Sequence, residues 1–314
     1  MEVITLGETM ASFFPNQGSN IQHASYYNKA TAGAESNVAI GLARLGHKVG
    51  WISRLGADPY GRYIFQTLRG EGVDVSQVQW DEVAPTGIFF RESTGLGKQV
   101  IYYRRGSAAS MLSPVDLSEE YFKKAKLLHL TGITPALSTS CRETAAKAIE
   151  LAKRNKLIIS FDPNIRLKLW DINEAKPVLL PMMQQSDIVL IGDEEGKLLF
   201  GTNEPTELVK EVAALGPKIV VVKLGHLGAY WWTEGQQGLV GPFDVKQVVD
   251  TIGAGDGFAA GFLAGYLEQL PIEAAVSRGN KVGALVTTAQ NDTDGLPFRS
   301  EIEKLEKQEA VVER

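Results

Sequence analysis

The sequence predicts an α/β protein: a doubly wound, mostly parallel sheet covered by helices, with a small β-sheet lid. Two observations carry this expectation. From Lys126 onward, short apolar runs alternate with helical patterns, which builds a parallel sheet clothed on both faces. Between Val83 and Arg105 the alternation stops, and two strand-like runs follow each other with no helix between them. The 314 residues suit one large α/β unit, and 44% apolar residues are enough to fill its core.

Taken in order, Val3 to Phe14 is rich in strand formers and is interrupted by Gly7. Gly33-Ala34-Glu35-Ser36-Asn37 leads into a helical run in which Val38, Leu42 and Leu45 recur on one face, and Gly46 is a natural stop. Val49 to Ser53 reads as a strand, and Tyr60 to Arg69 as a helix ended by Gly70 and Gly72. Gly87 to Arg91 and Gln99 to Arg104 read as a hairpin around Gly95-Leu96-Gly97. The later apolar runs are Leu127 to Leu130, Leu157 to Phe161, Ile188 to Ile191 and Ile219 to Lys223. Helical patterns over Cys141 to Arg154 and Thr206 to Leu215 fall between them, and the charged tail after Ser300 predicts a last helix. The expectation is one unit over 1–314, with a lid drawn from about 8–30 and 84–106.

Composition narrows the partners. The net charge of −5 lacks the basic footprint of a protein living on nucleic acid. A single cysteine, Cys141, cannot close an intrachain disulfide, and its place at a helix start reads as packing. The four histidines show no metal-ligand spacing. Met1-Glu2-Val3 opens without the basic segment of a secretory signal, and no apolar run is long enough to span a bilayer. The expected setting is cytoplasmic, with small-molecule partners and no nucleic acid or membrane.

The strongest chemical signal runs from Gly253 to Leu267. Gly253, Ala254 and Gly255 let the backbone approach a ligand closely, and Phe258 to Leu267 is a strong helical pattern. The turn therefore sits at a helix N-terminus, where unpaired N–H groups and the dipole favour a phosphate. Asp256 falls in the first helical turn. A carboxylate there can accept the proton of an attacking hydroxyl while the amides stabilise the group in transit. Asp is also a favoured helix cap, and spacing alone leaves the two readings level.

Asp250-Thr251-Ile252-Gly253-Ala254-Gly255-Asp256-Gly257-Phe258 resembles the second signature of the ribokinase-like (PfkB) carbohydrate kinases. Gly33 to Ala39, continuing through Leu45-Gly46 to Arg54-Leu55-Gly56-Ala57-Asp58-Pro59-Tyr60-Gly61, resembles the first. Two signatures in the right order are far more specific than either alone, and the likeness runs from Val3 to about Phe298. Within the family the chain is most similar to members acting on 2-keto-3-deoxygluconate. That likeness rests on Tyr102 to Ala108, Thr131 to Ser138, and Asp162-Pro163-Asn164-Ile165-Arg166 with Leu169-Trp170 behind it.

The resemblance implies a set of roles. Asp256 would be the catalytic base, with Gly253, Ala254 and Gly255 as the anion hole. Gly33 and Asn37 would contact sugar hydroxyls. Phe89, Tyr102 and Arg104 would face the sugar from the lid, with Arg105 pointing away because neighbours on a strand alternate. Arg166 and Asp292 would lie on the substrate side. Asn164, Lys223, Gly225, Gly228 and Asn280 would lie on the nucleotide side. Glu195 would help hold magnesium, although Gly192 stands where the family usually has Asn. ATP and Mg2+ are the implied cofactors, a monovalent cation is a further candidate, and pairing through the lid implies a homodimer or higher homo-oligomer. Structural readings stand beside these: Asn37 as a helix cap, Phe89 and Tyr102 as cross-strand packing, Arg166 as a surface ion pair, Glu195 as an acid opening a helix.

Rival functions are a kinase for a neutral sugar such as fructose or ribose, and a non-catalytic sugar- or nucleotide-binding regulator. A dehydrogenase is disfavoured because no Gly-x-Gly-x-x-Gly follows the first strand. Gly41 to Lys48 is no P-loop, because Lys does not directly follow its second Gly.

Overall fold

The computed structural model describes residues 1–15, 20–94 and 97–312. Gly95 and Leu96, at the predicted hairpin tip, and residues 16–19 of the first lid segment lie outside the described residues.

At the centre of the larger sheet, β1 (Val3–Leu6) pairs in parallel with β4 (Val49–Gly56) on one side and β8 (Leu127–Thr131) on the other. Beyond β4 lies β5 (Val78–Asp81). Beyond β8 come β9 (Ile158–Asp162), β10 (Ile188–Gly192) and β11 (Ile219–Lys223), all parallel. Two antiparallel strands, β12 (Ala229–Thr233) and β13 (Gln236–Val240), finish that edge; the sequence reading did not assign them. The strand order is β13-β12-β11-β10-β9-β8-β1-β4-β5. The chain runs outward from β1 one way, returns beside it at β8, and runs outward the other way. Order reverses between β1 and β8, and the crevice beyond the C-terminal strand ends there is where open α/β sheets take ligands.

The parallel strands are continuous apolar runs because both faces are covered. Alternate residues feed opposite faces. Val3, Leu127, Leu190 and Val221 join one core, whereas Ile4, Leu128, Val189 and Val222 join the other. Cys141 is buried in the second core, and burial pushes its thiol up to about 11.

The lid is a four-stranded sheet. In it β2 (Met10–Pro15) pairs antiparallel with β3 (Tyr27–Ala32) and parallel with β6 (Ile88–Thr94), and β6 pairs antiparallel with β7 (Gly97–Tyr103). The run Val3 to Phe14 thus serves two sheets, parted at Gly7-Glu8-Thr9. Met10, Ala32 and Phe89 pack on one face of the lid. Phe13, Tyr27 and Tyr103 gather round Phe90 on the other.

The helix Ala254–Leu267 is packed unusually closely against the helix Ile272–Val286. A Cβ on Gly257 would lie 2.7 Å from Val286 Cγ2, one on Gly261 would lie 2.8 Å from the Arg278 carbonyl oxygen, and one on Gly265 would lie 2.9 Å from Ala275 Cα. The four-residue spacing puts all three on one helix face. Their missing side chains let the backbones approach, and this fixes where the N-terminus of the first helix points. Gly261→Ala should destabilise the protein by about 1–3 kcal/mol, the usual cost of overpacking, when measured by urea unfolding. A variant with the parent's midpoint and slope would refute the close-packing account.

Candidate active site

The last residues of β9, β10 and β11 are Asp162, Gly192 and Lys223, and they line one side of a cleft at the strand ends. Asp162 is buried, and its Oδ2 accepts a 2.5 Å hydrogen bond from Lys223 Nζ. Burial pulls the Lys223 ammonium down, but the charges of Asp162, Glu195 and Asp256 outweigh it, so the group is held above its ordinary value. Asp162 Oδ1 accepts from the Asn164 amide at 3.1 Å. This bond braces a turn in which Asn164 takes φ 39, a left-handed conformation uncommon for a residue with a side chain.

Glu195 opens the helix Asp193–Phe200. Its two oxygens accept from the amides of Gly192 at 2.8 Å and Ile165 at 2.7 Å. Burial, and then the charge of Asp162, raises its carboxyl above the ordinary range. The glycine at 192 leaves this cap intact, since the cap uses only its amide.

Opposite stands the turn before the helix Ala254–Leu267. Gly253 has φ 81, and a Cβ there would come within 2.9 Å of the Asp292 carbonyl oxygen, so glycine is required twice over. Asp256 follows in the first turn. Its Oδ2 accepts from Asn37 Nδ2 at 2.8 Å, and the same amide nitrogen lies 3.4 Å from Asp292 Oδ2. Asn37 sits in the first turn of the helix Ala34–Arg44. That helix start is drawn close because Gly33 has no side chain: a Cβ would lie 2.3 Å from the Glu8 carbonyl oxygen. Dense protein around the half-buried Asp256 carboxyl pushes it up to about 7. Asn37 and Arg166 oppose the shift, and Asp162 and Asp292 add to it.

Two clefts meet at this turn. The larger, about 1090 Å³, is walled by Tyr102, Arg104, Arg166, Asn164, Glu195 and Asp256 among others. The smaller, about 460 Å³, is walled by Gly225, Gly228, Ala254, Phe258 and Asn280 among others. Lys223, Thr251 and Gly255 line both. Gly225 (φ 57) and Gly228 (φ 95) take left-handed conformations, and Asn280 Nδ2 donates to the Gly241 carbonyl at 2.8 Å.

Several expected positions differ. Phe89 packs in the lid core against Tyr102, with ring centres 5.5 Å apart, and is not among the residues walling these two clefts. Asn37 sits between Asp256 and Asp292, and Gly33, Asn37 and Asp292 are not among the residues walling these two clefts. Arg104 is already ion-paired with the buried Glu8, which also accepts from Ser107 Oγ at 2.5 Å. Arg105, expected to point away, lines the cleft: β7 ends at Tyr103, so strand alternation no longer applies. The sequence reading missed Glu8, Arg91 and Lys168. Lys168 Nζ donates to the lid carbonyl of Val100 at 3.1 Å. Only a weak signal pointed to the first two, a charge beside Gly7 and a charge within an apolar strand, and none to Lys168.

Among the described residues no group of three or more His, Cys, Asp or Glu is arranged to hold a metal. Asp162 and Glu195 nonetheless suit Mg2+, which keeps most of its waters and takes one or two carboxylates plus phosphate oxygens. Their occupied oxygens favour contact through water.

Residues 1–299 match the pfkB family of carbohydrate kinases. A 2-dehydro-3-deoxygluconokinase of Bacillus subtilis (strain 168) is 41% identical over 305 residues, covering 96% of this chain and 94% of that protein. The crystal structure of a Thermotoga maritima 2-dehydro-3-deoxygluconokinase superposes with a TM-score of 0.89 at 27% identity, covering 97% of this chain and 99% of that one. A Vibrio cholerae O395 fructokinase, solved with fructose, ADP and calcium, gives a TM-score of 0.86 at 30% identity over 97% of this chain and 98% of that one. With its ribokinase-like fold and a match over nearly its whole length, the chain belongs to the PfkB family of carbohydrate kinases, enzymes that transfer phosphoryl groups to sugars.

Proposed function

We propose that this protein phosphorylates 2-keto-3-deoxygluconate (the same acid as 2-dehydro-3-deoxygluconate) on its 6-hydroxyl from ATP, with Asp256 as general base. The observation that carries the reading is the meeting of two clefts at the Gly253–Asp256 turn. Sugar in the larger cleft and nucleotide in the smaller would present hydroxyl and γ-phosphorus to each other beside one carboxylate. The hydroxyl oxygen bonds to phosphorus, the bond to the bridging oxygen breaks, ADP leaves, and the proton passes to Asp256. Amides of the turn and Arg166 stabilise charge on the group in transit. Asn37 Oδ1 is buried and accepts no hydrogen bond from the described residues, so it suits a sugar hydroxyl. Magnesium, bound through phosphate oxygens near Asp162 and Glu195, would supply further positive charge.

A sugar acid is favoured over a neutral sugar by the charge of the cleft. Arg104 is neutralised by Glu8, but Arg105 and Arg166 are exposed on the wall and pair with no carboxylate among the described residues. An unpaired guanidinium suits a carboxylate. The relative acting on 2-dehydro-3-deoxygluconate at 41% identity agrees with this. The aromatic outer face of the lid, where Phe13, Tyr27 and the 63% exposed Tyr103 surround Phe90, supports assembly of two copies through that face. Among the described residues no helix is long and apolar enough to cross a membrane, in keeping with a cytoplasmic setting.

The test is ADP release over a sugar panel. Turnover should be much faster with 2-keto-3-deoxygluconate than with fructose or ribose, and Asp256→Asn should lower it at least ~10²-fold. Equal turnover with fructose would sink the substrate assignment, and full turnover in Asp256→Asn would sink the base. Asp256→Asn should fold at least as stably as the parent at neutral pH, because it removes a half-buried carboxylate whose ionisation the surroundings oppose.

The pH profile has a definite sign. A base must be ionised, and Asp256 ionises only above about 7. Sugar kcat/KM should therefore climb with pH and level off above about 7; a flat profile across that point would contradict the assignment.

For the assembly, Tyr103→Asp places a charge on the aromatic face. Sedimentation should show a monomer where the parent is a dimer, and an unchanged sedimentation coefficient would rule that face out.

A further inference from the structure

The buried Arg91 is not among the residues that wall the two clefts described above, and it makes three polar contacts to the body. It rises from β6 and is 5% exposed. Its Nη1 lies 3.2 Å from Asp292 Oδ1 and 3.5 Å from Asp250 Oδ2. Its Nη2 donates to the Gln290 carbonyl at 2.6 Å. Its guanidinium stands 4.8 Å from the ring centre of Phe14, on β2. One lid side chain thus grips both body loops that flank the Gly253 turn.

The contacts continue to the reacting group. The other oxygen of Asp292 faces Asn37 Nδ2 at 3.4 Å, and that amide donates to Asp256 Oδ2 at 2.8 Å. The backbone of Asp292 also abuts Gly253. Asn37 therefore bridges two carboxylates, an arrangement that repels itself unless a cation balances one of them. Arg91 is the one cation ion-paired with Asp292 among the described residues. Removing it would leave Asp292 buried and uncompensated, free to take a proton or to swing off the amide. The planar fork suits this place, because Nη1 faces the two aspartates while Nη2 reaches the Gln290 carbonyl, and a single ammonium nitrogen would have to serve all three from one point.

We infer that Arg91 is a positioning residue: from lid strand β6 it holds Asp292 and, through Asp292 and Asn37, sets the direction in which the Asp256 carboxylate faces the cleft. This deepens the base assignment above and rests on it. The lid in this view does more than cover the sugar, since its placement and the alignment of the base are one coupled arrangement.

A double-mutant cycle tests it, using steady-state ADP release with the intact protein and 2-keto-3-deoxygluconate. Arg91→Met should lower kcat about ten- to a hundredfold, the range expected for a small misplacement of a reacting group. The KM for ATP should stay within about twofold, because Arg91 does not touch the smaller cleft. Asn37→Ala should lower kcat as well, and the double variant should be no slower than the slower single, since both break one chain. A kcat within about twofold of the parent for Arg91→Met, or losses that multiply in the double variant, would overturn the inference. If Arg91→Met does not fold, Arg91→Lys keeps the charge without the fork; the same cycle then carries the same outcomes, with a smaller loss. Asp256→Asn run alongside separates the two claims. Full turnover there removes the base, whereas a crippled Asp256→Asn beside a normal Arg91→Met removes only the role of Arg91.

Discussion

A carboxylate packed among carboxylates is expensive to keep ionised, and the neighbourhood of Asp256 is organised around that difficulty. Burial raises its carboxyl most, and Asp162 and Asp292 raise it further. Each neighbour has its own cation from a different part of the chain: Lys223 at the end of β11 for Asp162, and Arg91 in the lid for Asp292. Asp256 itself is left with an amide and the more distant Arg166. The outcome is a carboxyl raised to about 7 and not locked in an ion pair among the described residues, the condition that the proposed base requires.

The placement of that group is a packing problem solved by absence. Gly257, Gly261 and Gly265 bring their helix against its neighbour, and Gly33 brings the helix bearing Asn37 against the Glu8 strand link. Removing side chains costs local helix stability, by about 1 kcal/mol for each interior glycine relative to alanine. In return the backbones lie directly against their neighbours, and this fixes the two helix starts that carry Asp256 and Asn37.

Features encoded locally were legible in the sequence. The Gly253 turn, the strand ends at Asp162 and Lys223, and the lid hairpin at β6 and β7 each announce themselves within a few residues. Features that need two distant segments were not. Glu8 reads as a charge between two strands until β7 brings Arg104 to it, and Arg91 reads as an ordinary strand charge until the loops at 250 and 292 arrive. Arg105 was misjudged because strand alternation was carried two residues past the end of β7. The division of Val3 to Phe14 between two sheets was hidden because both halves favour strands equally.

The parallel join of β2 to β6 places Ala11 opposite Ile88, with β3, β4, β5 and two helices between them in the chain. Neither half of the small sheet can therefore complete itself by local hairpin closure. Its assembly must wait until the body has drawn two remote segments together, and such non-local pairing is slow. A chain emerging from the ribosome would have its Gly253 turn and Asp256 still to come when the small sheet's strands are already exposed, with their edges and aromatic face uncovered. The small sheet, completed last, is thus the part of the fold most dependent on the order in which the chain assembles.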